Sequence, residues 1–244
     1  MNAIEIRGLV KRFGALTAVN GLTLDAAQGE ALALLGVNGA GKTTAIRILS
    51  GLLPADGGTA SIMGHPAGTA AAKACLGLSP QETAVAENLT VRENLTLMAR
   101  IHGMNAAEAR RAADDLIGRL SLESVVSRRA KKLSGGWQRR LSIAMALISR
   151  PDVLILDEPT LGLDVLARRE LWSVIRDLHG RTTLLLTTHY LEEAEALADR
   201  IAIMNCGQLR ALGTAKALIA QANAASFEDA FIALAGETER RNDA

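Results

Sequence analysis

A chain of 244 residues with 49% apolar and 22% charged side chains is long enough for one substantial core, or for one core carrying a subdomain. Its 27 basic and 26 acidic residues nearly cancel, which leaves no sustained positive field to hold a nucleic-acid backbone, so no nucleic-acid partner is expected. Cys75 and Cys206 stand far apart with no metal-ligand spacing and are expected as two reduced core thiols of a cytosolic protein.

The N-terminal MNAIEIRGLV carries Glu5 and Arg7 and no long apolar run, unlike a signal peptide. No stretch approaches the ~20 apolar residues that span a bilayer, so any service to a membrane is expected to run through a partner. Alternation at Ile4 and Ile6, then at Leu22 and Leu24, predicts strands, and ALALLG at 31–36 predicts a short buried strand running straight into a glycine loop. The helical stretch Thr43 to Leu52 completes a βα unit. Further strands are expected at 59–63, 74–78, 153–157, 182–188 and 201–205. Several are continuously apolar, as in VLILD and TLLLTT, which predicts a sheet covered on both faces.

Between about 88 and 150 the period becomes helical. Ala109, Ala113, Leu116 and Leu120 share a face, with Asn105 and Glu108 as a start signal, and Leu141, Ala144, Met145 and Ile148 repeat the pattern. Strands resume at Val153, so the segment is expected as a helical subdomain inserted into an α/β core. LSGGWQRRL at 133–141 places Ser134, Gly135 and Gly136 in an exposed loop feeding a helix, a junction that suits an anion. Near the end, SFEDAFIALAG opens with a capping box from Ser226 to Asp229 and puts Phe227, Phe231 and Leu234 on one stripe, a helix that must dock on something. The polar stretch from Glu237 to Ala244 is expected to be disordered.

Three motifs carry chemistry. GVNGAGKTT, comprising Gly36, Val37, Asn38, Gly39, Ala40, Gly41, Lys42, Thr43 and Thr44, matches a phosphate loop between a predicted strand and a predicted helix. Its backbone N–H groups can close around phosphates, Lys42 can reach the β and γ oxygens, and the Thr43 hydroxyl can ligate Mg²⁺. VLILDEP places Asp157 and Glu158 at the end of a buried strand, where a parallel sheet brings strand ends to one edge. Asp157 could hold the metal and Glu158 could take a proton from water; the alternative is a carboxylate pair closing a strand at the surface. TTLLLTTHY ends another apolar strand in His189, and GLSPQE sets Gln81 after the strand at 74–78. Alone, His189 reads as a cap or surface residue, and Phe13 in KRFG reads as core or hairpin filler.

In this order, over at least residues 4–213, these elements resemble the nucleotide-binding subunit of ATP-binding cassette (ABC) transporters. The resemblance implies a P-loop NTPase (RecA-like) α/β core with an N-terminal antiparallel β subdomain and an inserted helical subdomain at about 82–150. An ATPase domain over 1–220 would be followed by a C-terminal helix and tail over 221–244. It implies ATP and Mg²⁺ as ligands, with Phe13 stacking on adenine, Gln81 beside the metal with Thr43 and Asp157, Glu158 as base and His189 on the γ-phosphate. LSGGW then resembles the family signature and GLD, ending at Asp164, its D-loop. In the family two copies pack head to tail, so Ser134, Gly135 and Gly136 of one close over the nucleotide of the other.

Trp137 departs from the glutamine common in the signature, and either alters contacts near the ribose or packs against the helical subdomain. The basic run Arg128, Arg129, Lys131 and Lys132 is a solvated surface or a contact for lipid headgroups or an acidic loop. The tail resembles the ends of daunorubicin-type drug-exporter ATPases, which implies export through a separate integral-membrane permease and a place on the cytoplasmic face of the membrane. The rival is a soluble ABC-type ATPase acting in DNA repair or on ribosomes. Those relatives usually carry two cassettes or a coiled-coil insertion, and neither is seen in this sequence.

Overall fold

The computed structural model describes residues 1–236, so the tail expected to be disordered lies outside the described residues. The chain begins with a long hairpin, β1 (Asn2–Phe13) and β2 (Leu16–Ala27), and enters the interior on β3 (Ala31–Leu35), which leads to α1 (Lys42–Leu49). β4 (Gly57–Ile62) and the short β5 (His65–Pro66) return to the hairpin, making an antiparallel sheet in the order β2-β1-β4-β5. A short α2 (Ala70–Ala74) then precedes β6 (Leu76–Ser79). The helical segment follows as α3 (Val91–Ile101), α4 (Ala106–Arg119) and α5 (Gly135–Leu147). Strand and helix then alternate: β7 (Val153–Asp157), α6 (Val165–Arg176), β8 (Thr183–Thr188), α7 (Leu191–Leu197) and β9 (Arg200–Asn205). The hairpin partner β10 (Gln208–Gly213) and the helices α8 (Ala215–Ala222) and α9 (Phe227–Ala235) end the described chain.

The second sheet has the order β10-β9-β3-β8-β7-β6, parallel except for its β9–β10 edge. β3, β7 and β8 are buried along their whole length, as their unbroken apolar sequences predict for strands covered on both faces. Alternation along each strand sorts side chains between two cores. Ala31, Ala33, Leu35, Leu154, Leu156, Leu184 and Leu186 face one cluster, which takes in Val91, Leu95, Ala109, Ala113, Leu116 and Leu141 from the helical insertion. Leu32, Leu34, Val153, Ile155 and Leu185 face the other, shared with Ile46 and Leu49 of α1 and with Ile4, Ile6, Leu22 and Leu24 of the antiparallel sheet.

The starts of α3 and α4 are chemically marked. Thr90 and Asn105 accept N–H bonds from Glu93 and Glu108, whose carboxylates accept the cap residues' own N–H groups, a reciprocal arrangement that satisfies donors a helix start leaves free. Buried Asn94 fixes the approach to α3: its amide donates to the Ala86, Leu89 and Thr90 carbonyls and its oxygen accepts from Ala86 N–H. Leu95, one residue on, is fully buried. Leu95→Ala is expected to cost roughly 2–5 kcal/mol, read as a lower urea midpoint at unchanged slope.

Several expectations change. The strand predicted at 74–78 begins at Leu76 instead, because Thr69 caps a helical turn over the alanine-rich segment before it. Gly135 and Gly136 form the first turn of α5 rather than a loop; Ser134 sits at its N-cap without a side-chain cap bond. Both cysteines are free; Cys75 is half-buried and packs against the smaller core, whereas Cys206 is exposed in the tight β9–β10 turn, at φ 49°, and is not a core thiol. The docking partner of α9 is the chain itself: Phe227 is buried in the larger cluster, with Phe231 and Leu234 packed against it, and Asn205 Nδ2 donates to the Ala235 carbonyl at 2.8 Å. No helix among the described residues is long and apolar enough to cross a membrane.

Candidate active site

Parallel pairing of β3, β8 and β7 brings their C-terminal ends to one edge, and there a cleft of about 690 Å³ opens. It is lined by Phe13, Leu16, Thr17 and Ala18 from the first hairpin, by residues 38–44, and by Gln81, Glu158, Leu161, His189 and Cys206.

The loop between β3 and α1 has its shape for steric reasons. A Cβ on Gly36 would meet the Met204 carbonyl oxygen at 2.4 Å, and one on Gly41 would meet that of Ala18 at 2.3 Å. Gly41 also sits at φ 99° as the N-cap of α1, a conformation that favours glycine. Lys42, 6% exposed, donates to the carbonyls of Gly36 at 2.7 Å and Val37 at 3.3 Å. Its Nζ lies 3.6 Å from Glu158 Oε1. Burial lowers the Lys42 pKa, and the carboxylates of Glu158 and Asp157 oppose that shift.

Asp157 ends β7 and Glu158 follows it with φ 49°. That left-handed backbone is uncommon outside glycine and is held by the neighbouring strand: Glu158 N–H donates to the Thr187 hydroxyl at 2.9 Å and to the Thr187 carbonyl. The Thr187 hydroxyl donates in turn to Asp157 Oδ1 at 2.5 Å. The turn aims the buried Glu158 carboxylate at two partners, Lys42 through Oε1 and His189 Nδ1 through Oε2 at 2.8 Å. Thr43 Oγ1 lies 3.5 Å from Asp157 Oδ1. With Gln81 on the same cleft, these all-oxygen donors suit a small hard cation such as Mg²⁺, which takes one or two carboxylates and substrate phosphates.

The ABC transporter family profile matches residues 19–161.

The chain belongs to the ABC transporter ATP-binding family.

This cassette is 45% identical over 222 residues to the daunorubicin resistance ATP-binding protein DrrA3 of Streptomyces coeruleorubidus, covering 90% of this chain and 70% of that protein. It is 45% identical over 221 residues to the Nod factor export ATP-binding protein I of Paraburkholderia xenovorans, covering 89% and 73%. A solved ATP-binding subunit of an ABC transporter superposes with a TM-score of 0.84 at 30% identity, over 96% of this chain and all of that one. The cassette is an ATPase, and its P-loop α/β fold is that of the family.

The structure brings together Phe13, the 36–44 loop, Gln81, Asp157, Glu158 and His189. Phe13 is 49% exposed and lines the cleft, so it is not core filler. Ser134, Gly135, Gly136 and Asp164 do not line it. Trp137 is half-buried against the larger core, with the Arg140 guanidinium 4.9 Å from its ring centroid. The sequence reading missed Thr187, whose only signal is its place beside the histidine strand end, and Arg139, which has none apart from following the glycine pair.

Proposed function

We propose that this cassette binds Mg-ATP in the strand-edge cleft and powers export of a substrate through a separate integral-membrane permease, working at the cytoplasmic face as a head-to-tail homodimer. The observation that carries the reading is the convergence of Lys42, Glu158 and His189 through contacts of 3.6 and 2.8 Å. Lys42 donates to the loop's own carbonyls, and phosphate oxygens are a better acceptor for its charge. Residues 36–44 cradle the phosphates and Phe13 offers a face to the base. Thr43, Asp157 and Gln81 would hold Mg²⁺, which would supply positive charge to offset that of the phosphates.

Glu158 accepts a proton from water as the water oxygen bonds to the γ phosphorus and the bond to the β–γ bridging oxygen breaks. His189, held by Glu158, stabilises the γ oxygens, and most of the acceleration comes from positioning and electrostatics. Ser134, Gly135, Gly136 and Asp164 lie outside the chain's own cleft and are assigned to the nucleotide of the second copy. Closure adds those contacts to ATP, and hydrolysis removes their benefit. The ATPase unit is taken as residues 1–220, with the helical segment at about 82–150 passing motion to the permease.

Export is supported by the names of the two relatives, one a drug-resistance protein and one a Nod factor exporter. Detergent extraction of native membranes followed by pull-down on this chain is expected to recover a polytopic membrane protein. Recovery of ribosomal or DNA-repair factors in its place would favour the soluble ATPase and sink the transport reading.

A further inference from the structure

We propose that Arg139 is the positioning residue through which the helix starting at Gly135 sets the place of Gln81 in the nucleotide cleft. Arg139 lies on α5, and its guanidinium crosses to the loop after β6, where Nη1 donates to the Pro80 carbonyl and Nη2 to the Gln81 carbonyl, each at 2.6 Å. The two acceptors belong to the successive peptide units on either side of the Gln81 Cα. A planar fork that grips both fixes the orientation of those two units, and with it the direction in which the Gln81 side chain leaves the Cα between them. Gln81 itself is exposed, so its backbone is what places it.

The grip is built to be firm. Arg139 is only 5% exposed, and charged side chains are buried at that level only when paired or hydrogen-bonded. Burial disfavours its charge, and the carboxylates of Asp157 and Glu193, both buried, counteract that. One guanidinium thus joins two parts of the cassette: the helix whose first turn holds Gly135 and Gly136, and the Gln81 loop. A shift of α5 carries Gln81 with it, and a pull on Gln81 is felt at α5. Lysine at 139 keeps the charge but presents one point donor, which cannot grip two carbonyls in a plane.

This inference rests on the reading of Gln81 as a metal-side contact, and one experiment separates the two. Wild type, Q81A, R139K and Q81A/R139K are titrated with a non-hydrolysable ATP analogue by calorimetry, with Mg²⁺ and with chelator, and the readout is the factor by which Mg²⁺ tightens binding. Thermal unfolding checks that each variant is folded; R139Q replaces R139K if the lysine variant is not. R139K is expected to cut the Mg²⁺ factor by about tenfold, the low end of what losing an outer-shell partner of a metal ligand costs in metal affinity. Q81A is expected to cut it at least as much, and the double variant to match Q81A, because coupled residues are not additive. The proposal is overturned if R139K leaves the Mg²⁺ factor at the wild-type value, or cuts it equally with and without Gln81. A Q81A variant with the wild-type Mg²⁺ factor overturns the metal reading of Gln81, and the role given to Arg139 with it.

Discussion

Turnover of E158Q is expected to fall by roughly 100- to 10,000-fold, while ATP stays bound and the nucleotide-loaded protein elutes as a dimer on gel filtration. The geometry makes glutamine a clean probe. It fills the same buried space and can still meet His189 and Lys42, which stand 2.8 and 3.6 Å from the carboxylate, yet an amide cannot take the proton of the attacking water. Binding and closure are thereby separated from chemistry. Near-normal hydrolysis by E158Q would remove Glu158 from the base role and leave the left-handed turn at 158 without a catalytic purpose.

Lys42→Ala is expected to act one step earlier, on nucleotide affinity itself. A charge-assisted hydrogen bond contributes about 1.5–3 kcal/mol, which corresponds to ATP binding weaker by roughly 10- to 150-fold in titration calorimetry. The same change leaves the buried Glu158 carboxylate with His189 as its remaining close partner. Breaking a buried ion pair costs at most roughly 3–5 kcal/mol of stability, so a lower melting temperature should accompany the loss of affinity. In K42A/E158Q the uncompensated charge is gone, and the melting temperature should recover while affinity stays low. Unchanged ATP affinity in K42A would contradict the phosphate contact.

What could be read from sequence was whatever depends on a local pattern. The buried strands at 31–35, 153–157 and 183–188 announce themselves by unbroken apolar runs, and the 36–44 loop by glycines that steric contact makes necessary. Strand ends on one edge then follow from parallel pairing, which is why Lys42, Asp157, Glu158 and His189 could be expected together across more than a hundred residues. Features set by tertiary contacts were not legible. β10 depends on its pairing with β9 through a turn that holds Cys206 and Gly207, whereas the α2 turn was overlooked although its Thr69 cap is a local signal. Arg139 looks like any helix-surface arginine until the fold folds it inward. The apolar stripe through Leu141 and Ala144 also understated α5, where Arg139, Arg140, Ser142 and Ile143 are buried as well, because that helix is enclosed by neighbours rather than lying on a surface.

The division of apolar side chains by the parallel sheet has a mechanical corollary. The phosphate loop runs into the layer shared with the antiparallel strands, whereas the Gln81 loop is moored to the opposite layer through α5. Both loops line the one cleft, so a nucleotide filling it would act as a removable bolt across a seam between two separately filled halves.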